Sequence, residues 1–353
     1  MKSIPGVAIR AVCAAVPTQV ARTEDYAYLT PDERIRFQKA TGIAERRIVR
    51  EGQFASDLCA AAAQRVISHL NWDRENIGAL ILVTQSPDYP IPATAIILQD
   101  KLGLPQHCLA FDVNLGCSAY PYGLAIVSSM MQSLSIFKAL LLVGDISSRC
   151  AAVHDKSSWP LFGDAGSATA LELDETAPEV FYDLMSDGSG KEAIIVPSGS
   201  LSSRRPPGDG PVQQEVGSDG ILRRPDNLVL RGADIFSFAI AKVPGSIQRT
   251  MTASGTQPEQ TDFLVLHQAN KMINDTITKK AGFKPEQSLS TLASFGNTSS
   301  ASVPVTLCAH AERFQQARNV ALCGFGVGLS WGTSVLTMPG GAVLPLIETD
   351  DVY

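Results

Sequence analysis

Apolar runs of strand length alternate along this chain with longer stretches whose apolar positions recur at helical spacing, the pattern of an α/β protein with buried strands. The runs predict strands over residues 7–12, 79–83, 109–113, 139–143 and 168–173, then over 263–266, 320–322 and 334–338. Residues 54–70 and 120–134 read as helices. Between Ser186 and Asn227 the pattern dissolves into Gly, Pro, Ser and Asp clusters, including Arg204-Arg205-Pro206-Pro207-Gly208-Asp209-Gly210. This stretch, about 186–227, is expected to be a surface excursion between two α/β halves, 1–173 and 174–353. No short repeat points to a solenoid or propeller, and the longest apolar stretches, such as residues 91–98, are too short to span a membrane.

With 353 residues and 45% hydrophobic content, the chain can bury a large core and is too apolar for disorder. A net charge of -6 with no run of Lys or Arg lacks the electrostatic footprint of a nucleic-acid binder. The N-terminus has Lys2 before an Ala/Val-rich stretch, yet Pro5 and Arg10 interrupt any signal-peptide core, so it reads as a first strand. Seven cysteines, an odd number without a C-x-x-C pair, fit a reducing cytoplasm.

Candidate chemistry lies where strands run into glycine turns. Cys117 follows Asn114-Leu115-Gly116 and precedes a helical stretch, where helix-terminal amides favour thiolate and make a nucleophile. Taken alone, the segment fits an inert buried cysteine equally well. His267 ends the run 263–266 and is followed by Gln268-Ala269-Asn270; a structural histidine is the ordinary alternative. Asn297 in Gly296-Asn297-Thr298-Ser299 is also an ordinary turn signal. No two of the five histidines have the spacing of a zinc site, so no metal is expected. The glycine-rich segment 321–332 lacks the G-K-[ST] ending of a phosphate loop. A nucleophile from one half with helpers from the other would place the site at the seam.

Together, Cys117, His267-Gln268-Ala269-Asn270, the G-N-T-S-x-A-S-x-P run from Gly296 and the terminal G-F-G-x-G-x-x-W-G from Gly324 resemble the β-ketoacyl-ACP synthase III family of the thiolase superfamily. Residues 41–47 and Leu161-Phe162-Gly163-Asp164-Ala165-Gly166 also look like family landmarks, so the resemblance spans nearly the whole chain. It implies a thiolase-like fold, two similar α/β halves stacked in αβαβα layers. Carried over residue by residue, it makes Cys117 the acylated nucleophile. His267 and Asn297 become the pair that binds a malonyl thioester and stabilises its enolate, with the backbone of Cys117 and Gly328 as oxyanion hole. It also places Ile91, Arg149, Asn270 and Phe325 around substrate. No cofactor is implied: the substrates are acyl-CoA or acyl-ACP and malonyl-ACP, the partner an acyl carrier protein, and the assembly a homodimer with Ile91 reaching the partner's acyl pocket.

Relatives separate on the same residues. Thiolases need a second cysteine in the terminal loop; Cys323 is near, but the glycines align that position with Gly324, and one residue along a strand reverses the face. Plant-type polyketide synthases usually have proline where Val327 stands. Housekeeping members grip the CoA adenine with an aromatic residue and two arginines, where this chain has Arg36, Ala40 and Arg149. Carrier-contacting basic residues are replaced by Ser237 and Met272, and Arg204, Arg205, Arg223 and Arg224 are candidates to replace them. These departures suggest a specialised secondary-metabolite, polyketide or surface-polysaccharide pathway. The alternatives are an acyltransferase passing the Cys117-bound acyl group to a hydroxyl or amine, and a non-catalytic partner subunit; the latter sits poorly with an intact Cys117, His267 and Asn297.

Overall fold

The computed structural model describes residues 2–198, 215–217 and 220–353. The first half holds β1 (Lys2–Ile4), β2 (Val7–Val16), β3 (Val20–Arg22), α1 (Pro31–Thr41), β4 (Glu45–Arg47), α2 (Ala55–Leu70), β5 (Ala79–Val83), α3 (Thr94–Lys101), β6 (Leu109–Val113), α4 (Ala119–Leu134), β7 (Lys138–Asp145) and β8 (Ala165–Leu173). The second opens with β9 (Val180–Ser186). The excursion contributes β10 (Ile194–Ile195), β11 (Glu215–Val216), β12 (Leu222–Arg223) and β13 (Val229–Leu230). Then come α5 (Gly232–Ser254), β14 (Phe263–Leu266), α6 (Lys271–Lys280), β15 (Ser288–Leu289), α7 (Leu292–Phe295), α8 (Ser302–Ala309), β16 (Arg318–Gly326), β17 (Ser330–Met338) and β18 (Ile347–Glu348).

Two six-stranded sheets result, ordered β18-β2-β8-β7-β5-β6 and β1-β9-β17-β16-β14-β15. Five strands of each follow one plan. β2-β8-β7-β5-β6 and β9-β17-β16-β14-β15 share strand order, and in each the first two neighbouring pairs are antiparallel and the last two parallel. The chain ends cross over: β1 edges the second sheet and β18 the first.

Buried side chains sort these sheets into layers. α4 and α8 bring Tyr120, Leu124, Val127, Val303 and Leu307 into one core with Ile81 and Leu141 of the first sheet and Val265 and Leu322 of the second, so these helices form the middle layer. α2 and α3 cover the outer face of the first sheet, α5 and α6 that of the second. Leu58 and Cys59 of α2 come close to β7 and β8 because Gly144 and Gly166 carry no Cβ; one at Gly166 would stand 2.5 Å from the Cys59 nitrogen. No helix among the described residues is long and apolar enough to cross a membrane.

The hydrophobic pattern finds the strand cores and understates their ends, since β16 continues through Gly324 to Gly326 and β17 begins at Ser330. It misses α1, whose polar sequence has no apolar stripe. That helix is set instead by a Thr30–Glu33 capping box, Pro31 in the first turn and Gly42 in the left-handed conformation beyond the last. It misses α5 as well, where Pro244 and glycines argue against 23 helical residues that nonetheless bury Ile235, Phe238, Val243 and Ile247. The apolar stretch 91–98 is divided between a loop and α3.

Candidate functional site

Both halves present the ends of corresponding strands to one seam. Cys117 lies beyond β6, just before α4; Asn297 lies beyond β15, before α8; His267 immediately follows β14. By the shared strand plan, Cys117 and Asn297 are counterparts at the start of the two middle-layer helices.

The three are 9%, 7% and 1% exposed, and Ser299 joins them. Its N–H donates to Asn297 Oδ1 at 2.9 Å, and it lies beside the Cys117 thiol and the His267 ring. Ser299 is held at φ +48°, a left-handed conformation uncommon for a non-glycine residue. Ser302 Oγ is 2.7 Å from His267 Nδ1.

Asn297 is fixed through its backbone. Its N–H donates to Leu161 O at 2.9 Å and its carbonyl accepts from Gly163 N at 3.0 Å, so the Leu161–Gly166 landmark is the clasp that seats it. Gly163 has no alternative there, because a Cβ would stand 2.3 Å from Phe295 O. With Oδ1 taken by Ser299, the Asn297 amide presents its NH2 end as donor. Arg46 Nη1 holds the same clasp through Phe162 O at 3.0 Å.

Burial sets the protonation states. It pushes the Cys117 thiol up to about 11, against hydrogen bonds from the Val327 amide, from its own N–H and from Ser299, and the Asp145 charge works in the same direction. The expected thiolate stabilisation by the helix start is therefore outweighed, and the resting group is a thiol. Burial lowers His267 to about 4, so its ring is neutral at neutral pH and can act as an N–H donor. Asp145, at the end of β7, accepts from Thr84 Oγ1 at 3.2 Å, Gln85 N at 2.7 Å and Ser300 N at 3.2 Å; burial raises its pKa.

The terminal glycine segment faces the nucleophile with alternate residues. A Cβ at Gly324 would stand 2.7 Å from Cys117 O, and one at Gly326 would stand 2.8 Å from its sulfur. Cys323, one residue before Gly324, points the other way: Thr333 Oγ1 donates to it at 3.3 Å, and burial pushes it to about 12. The backbone N–H of Val327 is directed at the Cys117 sulfur, next to Gly328 in the same turn.

Other expected substrate contacts are engaged elsewhere. Asn270 Oδ1 caps α6 by accepting from Ile273 N at 2.9 Å. Phe325 is buried and meets the His267 ring edge-on at 5.5 Å, which positions the imidazole. Arg149 is exposed, but it donates to Arg50 O at 3.1 Å and Gln53 O at 2.8 Å and lies over the Phe54 ring. Ile91 is 77% exposed. Arg223 is not a surface contact: it is buried against Asp155 at 2.7 Å. Arg224 pairs with Asp226, while Arg204 and Arg205 lie outside the described residues. Sequence reading missed Val327, Asp145 and the roles of Ser299 and Ser302; the serines stood inside the quoted motif, but a backbone amide leaves no side-chain signal.

The family model described as 3-oxoacyl-[acyl-carrier-protein] synthase III matches residues 111–188, and its C-terminal counterpart residues 251–338. A β-ketoacyl-[acyl-carrier-protein] synthase III of Rhodopirellula baltica is 32% identical, over 95% of this chain and 99% of that protein. One of Streptomyces coelicolor is 34% identical, over 91% of this chain and 92% of that protein. Among solved structures, a 3-oxoacyl-(acyl-carrier protein) synthase of Burkholderia xenovorans superposes with a TM-score of 0.92 at 33% identity, covering 99% of this chain and 98% of that one.

Proposed function

The chain belongs to the 3-oxoacyl-ACP synthase III family of condensing enzymes with a thiolase-like fold, and from that premise we propose a two-stage reaction centred on Cys117. In the first stage the Cys117 sulfur attacks the carbonyl of an acyl thioester. The carrier thiol leaves with the proton that Cys117 gives up, and the acyl group stays on Cys117. The tetrahedral oxyanion is met by the amides of Cys117 and Val327.

In the second stage malonyl-ACP binds with its thioester carbonyl toward His267 and the Asn297 NH2 group. Loss of CO2 leaves an enolate whose charge these two neutral donors stabilise. Its carbon attacks the Cys117 thioester, forming a β-ketoacyl-ACP, and the released Cys117 thiolate takes up a proton. The substrates alone supply this chemistry, without a cofactor. The observation that carries the reading is that Cys117, His267 and Asn297 are buried together around Ser299, whose N–H fixes the Asn297 carboxamide.

We place the enzyme in a specialised pathway, because the adenine side holds Arg36 and Ala40 in place of a stacking face and a charged contact, and Arg149 is tied to Arg50 and Gln53. For assembly we propose a homodimer. β6 is the outermost strand of its sheet, and Leu109, Tyr89, Ile91 and Ile96 stand exposed on or near it, a surface suited to a second copy.

Intact-protein mass spectrometry after incubation with a panel of acyl-CoA and acyl-ACP donors tests the first stage. An acyl adduct on Cys117 that disappears on adding malonyl-ACP is expected. An adduct on another cysteine, or transfer to a hydroxyl or amine without CO2 release, contradicts the reading.

A further inference from the structure

The shared strand plan pairs Gln85, two residues beyond β5, with Gln268, two residues beyond β14. The two glutamines are used differently. Gln268 is fully buried and acts as a brace: its amide donates to Leu266 O at 2.8 Å, and Ser290 Oγ and Thr291 N donate to its Oε1. Gln85 is exposed, and its one side-chain hydrogen bond runs to Asn114 Oδ1 at 3.1 Å, itself on an exposed residue. Among the described residues Gln85 Oε1 accepts nothing.

That open carboxamide lies at the nucleophile. A Cβ on Gly116, the residue before Cys117, would stand 2.3 Å from Gln85 Oε1 and 2.8 Å from Val327 Cγ1. Val327 is the residue whose amide reaches the Cys117 sulfur. The position of Gln85 is set from its backbone, where its N–H donates to buried Asp145 at 2.7 Å. Consecutive Cα atoms are about 3.8 Å apart, so the carboxamide stands only a few carbon–carbon bonds from an acyl carbonyl on Cys117.

We propose that Gln85, supported by Asn114, is a specificity-determining residue for an acyl group that carries a hydrogen-bonding substituent close to its thioester, of the 3-hydroxyacyl class. A hydroxyl there donates to Gln85 Oε1 and accepts from the Asn114 amide, whereas a plain alkyl chain of equal length displaces water from both polar groups without pairing them. The proposal rests on acylation of Cys117 and adds the chemistry of what is transferred.

Single-turnover acylation with 3-hydroxybutyryl-CoA and butyryl-CoA tests it, read as the ratio of the two rates by intact mass. The wild-type enzyme is expected to favour the hydroxylated donor by about tenfold. Gln85→Met and Asn114→Ala, two independent variants each checked for a native melting curve, are expected to bring the ratio close to one. A wild-type ratio near one, or a preference that survives both substitutions, overturns the proposal while leaving acylation intact. Failure of Cys117 to take an acyl group from any thioester overturns the catalytic reading itself, and this inference with it.

Discussion

At the scale of single residues, one imidazole carries the second stage, and its behaviour with pH is fixed by burial. His267 has its pKa lowered to about 4 from an ordinary 6.5, so between these values the unfolded chain binds a proton that the folded protein refuses. Stability contributed at this position is full above pH 6.5 and is lost as pH falls toward 4. Denaturant titrations of wild type and His267→Gln across that window are expected to converge at the acid end. Decarboxylation itself should show no titration near 6.5. Ser302 is the group against Nδ1, and a donating Ser302 hydroxyl leaves the proton on Nε2. Ser302→Ala is expected to slow condensation about tenfold while Cys117 acylation stays near the wild-type rate. Equal losses in both stages would refute this division of labour.

At the scale of elements, the alternation of β16 turns Gly326 and Cys323 to opposite faces. Gly326 faces the sulfur, and a methyl there would sit 2.8 Å from it, so Gly326→Ala is expected to abolish acylation in a folded protein. Cys323 faces α5, so Cys323→Ala should retain condensation and cost about 1 kcal/mol of stability. Acylation rates and chemical denaturation of the two variants check both outcomes. Elements were legible where burial wrote them into the hydrophobic pattern: β5, β6 and β14 match their apolar runs end to end. α1 was illegible to that pattern because local capping, not an apolar face, defines it. α5 was illegible because its packing against the second sheet outweighs Pro244. Cys117, His267 and Asn297 could be found from their motifs; Val327 could not, because its contribution is a main-chain N–H, and Asp145 could not, because only the fold brings β5, β7 and residue 300 together.

At the scale of the whole molecule, the two halves meet through polar clasps as well as through the central core. The excursion returns to the body where Arg223 lies buried against Asp155, an arrangement that cannot lose one partner cheaply. Arg223→Ala is expected to destabilise the protein by about 3 kcal/mol, read by chemical denaturation, because Asp155 would remain buried without its guanidinium. The seam through Leu161, Gly163 and Asn297 is what makes the reaction a property of both halves together. The most direct test of that claim loads Cys117 with an acyl group, adds malonyl-ACP and follows CO2 release and β-ketoacyl-ACP formation in one turnover. Wild type should yield both in equal amounts, whereas Asn297→Ala should acylate normally and lose on the order of 10²–10³ in the rate of CO2 release. Wild-type rates of CO2 release from Asn297→Ala, or product formation by Cys117→Ala, would contradict the account.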